Sequence, residues 1–184
     1  MCKGITIIFV GLCIAIGQLL YAQSYPVIEE SLKSILVESE RIEAEEIELI
    51  QEQMQRIAQR LAEPVYEQRL TVYLGKTKQK IDAFCLVVSA EGKHGPITFI
   101  VAITPEGKIK DIRVLKNTDV KGTKIGKRRF LRQFTGKSLK DPIALRRDID
   151  AVTGATVSSA AATKAARKAL IIWEELSFKI HIEP

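Results

Sequence analysis

Twelve residues, Asp148-Ile149-Asp150-Ala151-Val152-Thr153-Gly154-Ala155-Thr156-Val157-Ser158-Ser159, hold the densest set of chemically capable groups in this 184-residue chain. Carboxylates and hydroxyls surround a glycine and run straight into an alanine-rich segment, Ala160 to Leu176, whose composition predicts a helix. Gly154 lets the backbone turn tightly and lie close to a bulky ligand, and Ala155 adds little volume beside it. Ser158 and Ser159 stand where the N-cap of that helix is expected. The N–H groups and positive dipole end of a helix start favour an anion, so these residues describe a seat for a phosphate ester.

The same residues resemble a family motif. Asp150, Thr153, Gly154, Ala155, Thr156 and Ser158 follow the flavinylation pattern of FMN-binding domains: Asp, two residues, Ser or Thr, Gly, Ala, Thr, one residue, Thr or Ser. The resemblance implies that a flavin transferase moves FMN from FAD onto the hydroxyl at the last position, forming a phosphoester. Carried over, the acceptor is Ser158, with Thr156 and Ser159 as the remaining hydroxyls, and Asp150, Thr153, Gly154 and Ala155 are what the transferase recognises.

Three upstream blocks extend the resemblance over roughly residues 69 to 176: Gly92-Lys93-His94-Gly95-Pro96-Ile97-Thr98-Phe99, Pro105-Glu106-Gly107-Lys108-Ile109, and Phe130-Leu131-Arg132-Gln133-Phe134-Thr135-Gly136-Lys137. They look like small stand-alone FMN-binding proteins, relatives of the flavin-carrying peripheral subunits of the Rnf complex and the sodium-pumping NADH:quinone reductase. By that resemblance His94 lies in a turn that approaches the flavin, and Arg128 or Lys124 helps hold the FMN phosphate or ribityl chain.

The elements that must position these residues change in texture along the chain. Met1 to Ala22 carries one charge, Lys3, then the apolar run Ile5 to Ile16, and ends on a small residue. This pattern describes a signal peptide cut after Ala22, with an uncleaved anchor as the alternative, and it directs the chain to a periplasm or cell surface. Cys2 and Cys13 lie in the leader. That leaves Cys85 alone in the apolar run Ile81 to Val88, where it reads as a buried core thiol.

Residues 23–68 carry 11 acidic and 4 basic groups, whereas residues 69–184 carry 11 and 23, an asymmetry hidden by the net charge of +6. The two parts are expected to attract each other or different partners. Apolar spacing in Pro26 to Val37 and in Glu45 to Ala62 predicts helices, so residues 23–68 read as an N-terminal helical extension. From Arg69 the pattern turns to strands, Arg69 to Leu74, Lys80 to Ser89, Ile97 to Thr104 and Lys108 to Leu115, separated by Gly75, Gly92-Lys93 and Pro105-Glu106-Gly107. Connections this short exclude crossover helices. The fold class is therefore α+β, an antiparallel meander with packed helices, and the resemblance implies that residues 69–184 are an FMN-binding domain.

Six cations fall between Lys121 and Arg132. The leader and the lack of interleaved aromatics argue against nucleic acid, leaving a solvated face, an anionic surface or an acidic electron-transfer partner. Trp173 reads as core, and His181 has no assigned role. The chain has no Cys-x-x-Cys-His site, no cysteine-histidine zinc spacing and no glycine-rich dinucleotide fingerprint, and its two histidines compose no catalytic triad. The chemistry must come from a cofactor. The reading is an exported carrier of covalent FMN passing electrons between a membrane donor and an extracytoplasmic acceptor. A flavin-dependent reductase of a small substrate and a flavin-free basic binding module are the alternatives.

Overall fold

The computed structural model describes residues 7–9, 25–117 and 124–180. In chain order the elements are β1 (Ile7–Phe9), α1 (Tyr25–Ile35), β2 (Arg41–Glu48), α2 (Gln51–Leu61), β3 (Arg69–Thr77), β4 (Lys80–Glu91), β5 (Pro96–Ile103), β6 (Ile109–Asn117), α3 (Arg128–Leu131), a 3-10 turn at Arg132–Phe134, and α4 (Thr156–Ile180). The strands form one sheet in sequence order. From β2 to β6 every neighbouring pair is antiparallel, as the short turns require, and β1 joins β2 in parallel. Apart from β1, the expected leader and its cleavage site lie outside the described residues. No helix among the described residues is long and apolar enough to cross a membrane.

Alternation along the strands splits the core between the two faces of the sheet. On one face Val72, Leu74, Phe84, Leu86, Phe99, Val101 and Ile103 meet the apolar sides of α2 and α4, including Ile57, Ala162, Ala166, Ala169 and Leu170. On the other, Tyr73, Ala83, Cys85, Ile100 and Ala102 are covered by Leu32, Ile35 and Leu36 of α1 and its exit. The alanines at the start of α4 let its backbone lie close to the sheet. Gly107, in the β5–β6 turn, has φ +75°, and a Cβ there would lie 2.6 Å from the Trp173 ring. Only glycine serves that close approach.

The segment before residue 69 is not wholly helical. Arg41–Glu48 is a strand that takes in the first four residues of the helix expected over Glu45 to Ala62, and it pairs with β3 along its whole length. The reason lies in alternation. Ile42 and Ala44 are buried, while Glu43 between them finds cations on its own and the neighbouring strand: Oε2 accepts from Lys76 Nζ at 2.6 Å and Oε1 from Arg41 Nε at 2.8 Å. Cross-strand pairing thus overrides the helix preference of glutamate. The helix begins only at Gln51, where Gln53 Oε1 accepts from the Ile50 N–H at 3.2 Å.

Candidate functional site

The Asp150–Ser159 stretch is set in place by the loop before it. The Gly136 N–H donates to the Ile109 carbonyl and the Ile109 N–H donates to the Lys137 carbonyl, both at 2.8 Å, so the chain leaving the 3-10 turn is pinned to the start of β6. Lys137 then forms an ion pair with Asp148 at 2.9 Å. The Asp148 carboxylate also accepts from the N–H groups of Ala144 at 2.9 Å and Ile143 at 3.1 Å. Partial burial pushes its pKa up, but the Ala144 N–H, the Lys137 ammonium and the Ile143 N–H outweigh burial and hold it below the usual aspartate value. Arg167 Nη1 donates to the Pro142 carbonyl at 3.1 Å, tying α4 to the same loop.

Asp150 is held by its backbone. Its N–H donates to Gln133 Oε1 at 2.8 Å, and its carbonyl accepts from Gln133 Nε2 at 3.2 Å, an amide matched to the backbone of one exposed residue. The side chain is left on the exposed surface.

A tight turn then feeds the helix. The Ala155 N–H donates to the Val152 carbonyl at 2.9 Å, and Gly154 stands at the third turn position with φ +78°, where a positive φ is required. The Ala155 carbonyl accepts from the Ser159 N–H at 2.8 Å, opening the helical ladder. The helix therefore starts at Thr156, and Ser158 and Ser159 lie within its first turn and not at its N-cap. Ser159 still does a cap's work from inside. Its buried Oγ accepts from the Val152 N–H at 3.0 Å and donates to the Ala155 carbonyl at 2.9 Å. Ser158 is 1% exposed, whereas Thr153 and Thr156 are exposed. The hydroxyls of this stretch thus divide into two buried and two open ones.

Residues 92–171, which span this stretch, match the profile of the FMN-binding domain. Over these residues the chain is similar to the FMN-binding domain family. A component of the Na(+)-translocating ferredoxin:NAD(+) oxidoreductase complex of Acetobacterium woodii is 25% identical over 136 residues, covering 67% of this chain and 65% of that protein. A component of the proton-translocating ferredoxin:NAD(+) oxidoreductase complex of Clostridium ljungdahlii is 30% identical over 106 residues, covering 53% and 57%. The chain thus spans about half to two thirds of the curated relatives it matches. Two crystal structures share the fold. Shewanella oneidensis NqrC superposes with a TM-score of 0.52 at 18% identity, over 63% of both chains. The corresponding component of the Na(+)-translocating NADH-quinone reductase of Parabacteroides distasonis gives 0.50 at 13% identity, over 73% of this chain and 76% of that one.

The stretch fits the family's cofactor. A Cβ added at Gly154 would meet no atom within 4 Å, so the turn borders open space, and the exposed Thr hydroxyls and the helix start supply phosphate-compatible groups. Other anticipated contacts are not gathered here. His94 is exposed in the bend between β4 and β5. Arg128 places Nη1 3.1 Å and 3.0 Å from the two carboxylate oxygens of Asp111, on the β6 side of α3. Lys124 is exposed ahead of α3. Trp173 stacks edge-on against Phe84, with ring centroids 6.2 Å apart, as a core residue. His181 and Lys121 lie outside the described residues. Sequence reasoning missed the roles of Gln133, Asp148 and Ser159. The amide of Gln133 gave no periodic signal, since it acts on a peptide group 17 residues away.

Proposed function

We propose that this FMN-binding domain is an exported electron carrier with FMN held by a phosphoester at the start of α4, on the exposed Thr156. The observation that carries the choice of residue is the burial contrast. Ser158, the acceptor by position in the motif, sits on the core side of the first turn, and the Oγ of Ser159 is committed to the turn and the ladder. A transferase working on the folded chain needs a hydroxyl it can reach, and Thr156 offers one.

In the attachment step the Thr156 oxygen forms the new bond to the FMN phosphorus of FAD. The pyrophosphate bond breaks, AMP leaves, and the hydroxyl proton passes to a base of the transferase. Asp150, presented by Gln133, and the Thr153-Gly154-Ala155 turn are the recognition surface for that enzyme. The positive end of α4 stabilises the remaining phosphate charge. Flavin supplies the redox chemistry when bound, accepting electrons as a pair and passing them singly. A tether suits an extracytoplasmic site, where a noncovalent cofactor would be diluted away by mass action.

The curated relatives are parts of ion-translocating oxidoreductase complexes, which supports a membrane redox donor and an extracytoplasmic acceptor as partners. The test is coexpression with a flavin transferase followed by denaturing electrophoresis. A fluorescent band whose intact mass exceeds the bare chain by FMN less water is expected. A dark band at the bare mass contradicts the reading.

A further inference from the structure

The charge asymmetry of the sequence is only partly cancelled in the fold. Most cations that meet the acidic segment come from elsewhere than the basic stretch: Lys76 pairs with Glu43, Lys164 with Glu63, Lys168 with Glu67, and Lys110 with Glu38. Arg56 and Arg60 of the segment itself pair with Glu175 and Glu174 of α4. Among the described residues, Lys124, Lys127, Arg129 and Arg132 enter none of the ion pairs, and all four are exposed. The basic stretch thus keeps four exposed cations that the acidic segment does not neutralise.

We infer that this basic face, Lys124 to Arg132 on the β6 edge, is a docking surface for an acidic redox protein. The inference rests on the electron-carrier reading. Three features favour a protein over a lipid surface or a nucleic acid. The apolar side chains of the segment, Ile125, Phe130, Leu131 and Phe134, are all buried, so none is left to enter an acyl layer. The buried phenylalanines equally offer no platform for stacking bases. Two of the four free cations are arginines, whose guanidinium suits carboxylates, as Arg128 Nη1 already reaches both oxygens of Asp111.

Arg132 is followed directly by Gln133, whose amide clasps the backbone of Asp150 at the attachment stretch. The basic face is thus joined to the attachment stretch through Gln133. Opposite charge at such a face raises the rate of encounter and selects the orientation of docking.

The test uses the full chain, coexpressed with transferase, and an acidic ferredoxin as the probe protein. Binding is followed by titration calorimetry at low and moderate salt, and reduction of the oxidised flavin by the reduced ferredoxin is followed by stopped flow. The triple variant Lys127→Glu, Arg129→Glu, Arg132→Glu should weaken binding and slow electron transfer by about tenfold or more, and added salt should do the same to the native chain. A second triple variant to Gln, with a smaller loss, separates charge from folding. Unchanged binding and rate in both variants overturn the inference. Binding to anionic vesicles that exceeds binding to the ferredoxin also overturns it, in favour of a membrane surface. A chain without flavin that still binds the ferredoxin in a charge-dependent manner upholds the surface and refutes the carrier reading.

Discussion

Gln133 and Asp150 lie 17 residues apart and exchange two hydrogen bonds, at 2.8 Å and 3.2 Å, through one side-chain amide and the backbone of one residue. The amide cannot be replaced by alanine without freeing the residue that leads the motif. Gln133→Ala is expected to lower stability by only about 1 kcal/mol, because the pair is exposed. It should nonetheless slow flavin incorporation several-fold in a timed transferase assay. Equal rates would show that the backbone at Asp150 needs no such clasp.

Two glycines with similar backbone angles should respond differently to substitution. At Gly107, φ +75° is combined with a Cβ position 2.6 Å from Trp173, so Gly107→Ala must displace the indole and is expected to cost about 2–4 kcal/mol. At Gly154, φ +78° faces open space, so Gly154→Ala should cost only about 1–2 kcal/mol. If the open space serves the flavin, Gly154→Ala will lose incorporation out of proportion to its stability. Chemical denaturation of both variants, set beside their flavin content, checks the contrast.

Asp148 contributes to the acid sensitivity of the loop. Its folded-state pKa is lowered, so its contribution is fully present above the unfolded value, about 4, and is lost as pH falls through the folded value. Asp148→Asn should therefore destabilise the chain by about 2 kcal/mol at pH 7, with the gap to the native chain closing below about pH 4. Urea unfolding at a neutral, a mildly acidic and a strongly acidic pH measures it. A gap independent of pH would mean that the carboxylate charge contributes nothing.

Cys85 sits fully buried within the sheet, and burial pushes its thiol up to about 12. Cys85 of the folded chain should react with a disulfide reagent only as fast as the chain unfolds, and completely in denaturant. Rapid labelling in native buffer would contradict the packing of the α1 face.

The antiparallel meander was legible because alternation and short turns act locally, and the Lys80–Glu91 and Pro96–Ile103 strands follow them closely. β2 was not, because its glutamates carry helix propensity and Glu43 is satisfied by Lys76 on the next strand, a contact no local pattern announces. The start of α4 was misplaced by a few residues for a related reason. Hydroxyls at Ser158 and Ser159 suggested caps, yet the turn closed by Val152 and Ala155 brings the backbone into the helix earlier. That shift decides which hydroxyls face water, the contrast on which the proposal of Thr156 rests.

The central claim is tested most directly by mapping the flavin. Native chain, Thr156→Ala and Ser158→Ala would each be coexpressed with the transferase and analysed by intact mass and by sequencing of the fluorescent peptide. The account predicts FMN on Thr156 in the native chain, flavin retained in Ser158→Ala, and none in Thr156→Ala. Flavin that persists in Thr156→Ala and vanishes in Ser158→Ala would place the attachment on the buried hydroxyl and require the first turn of α4 to open.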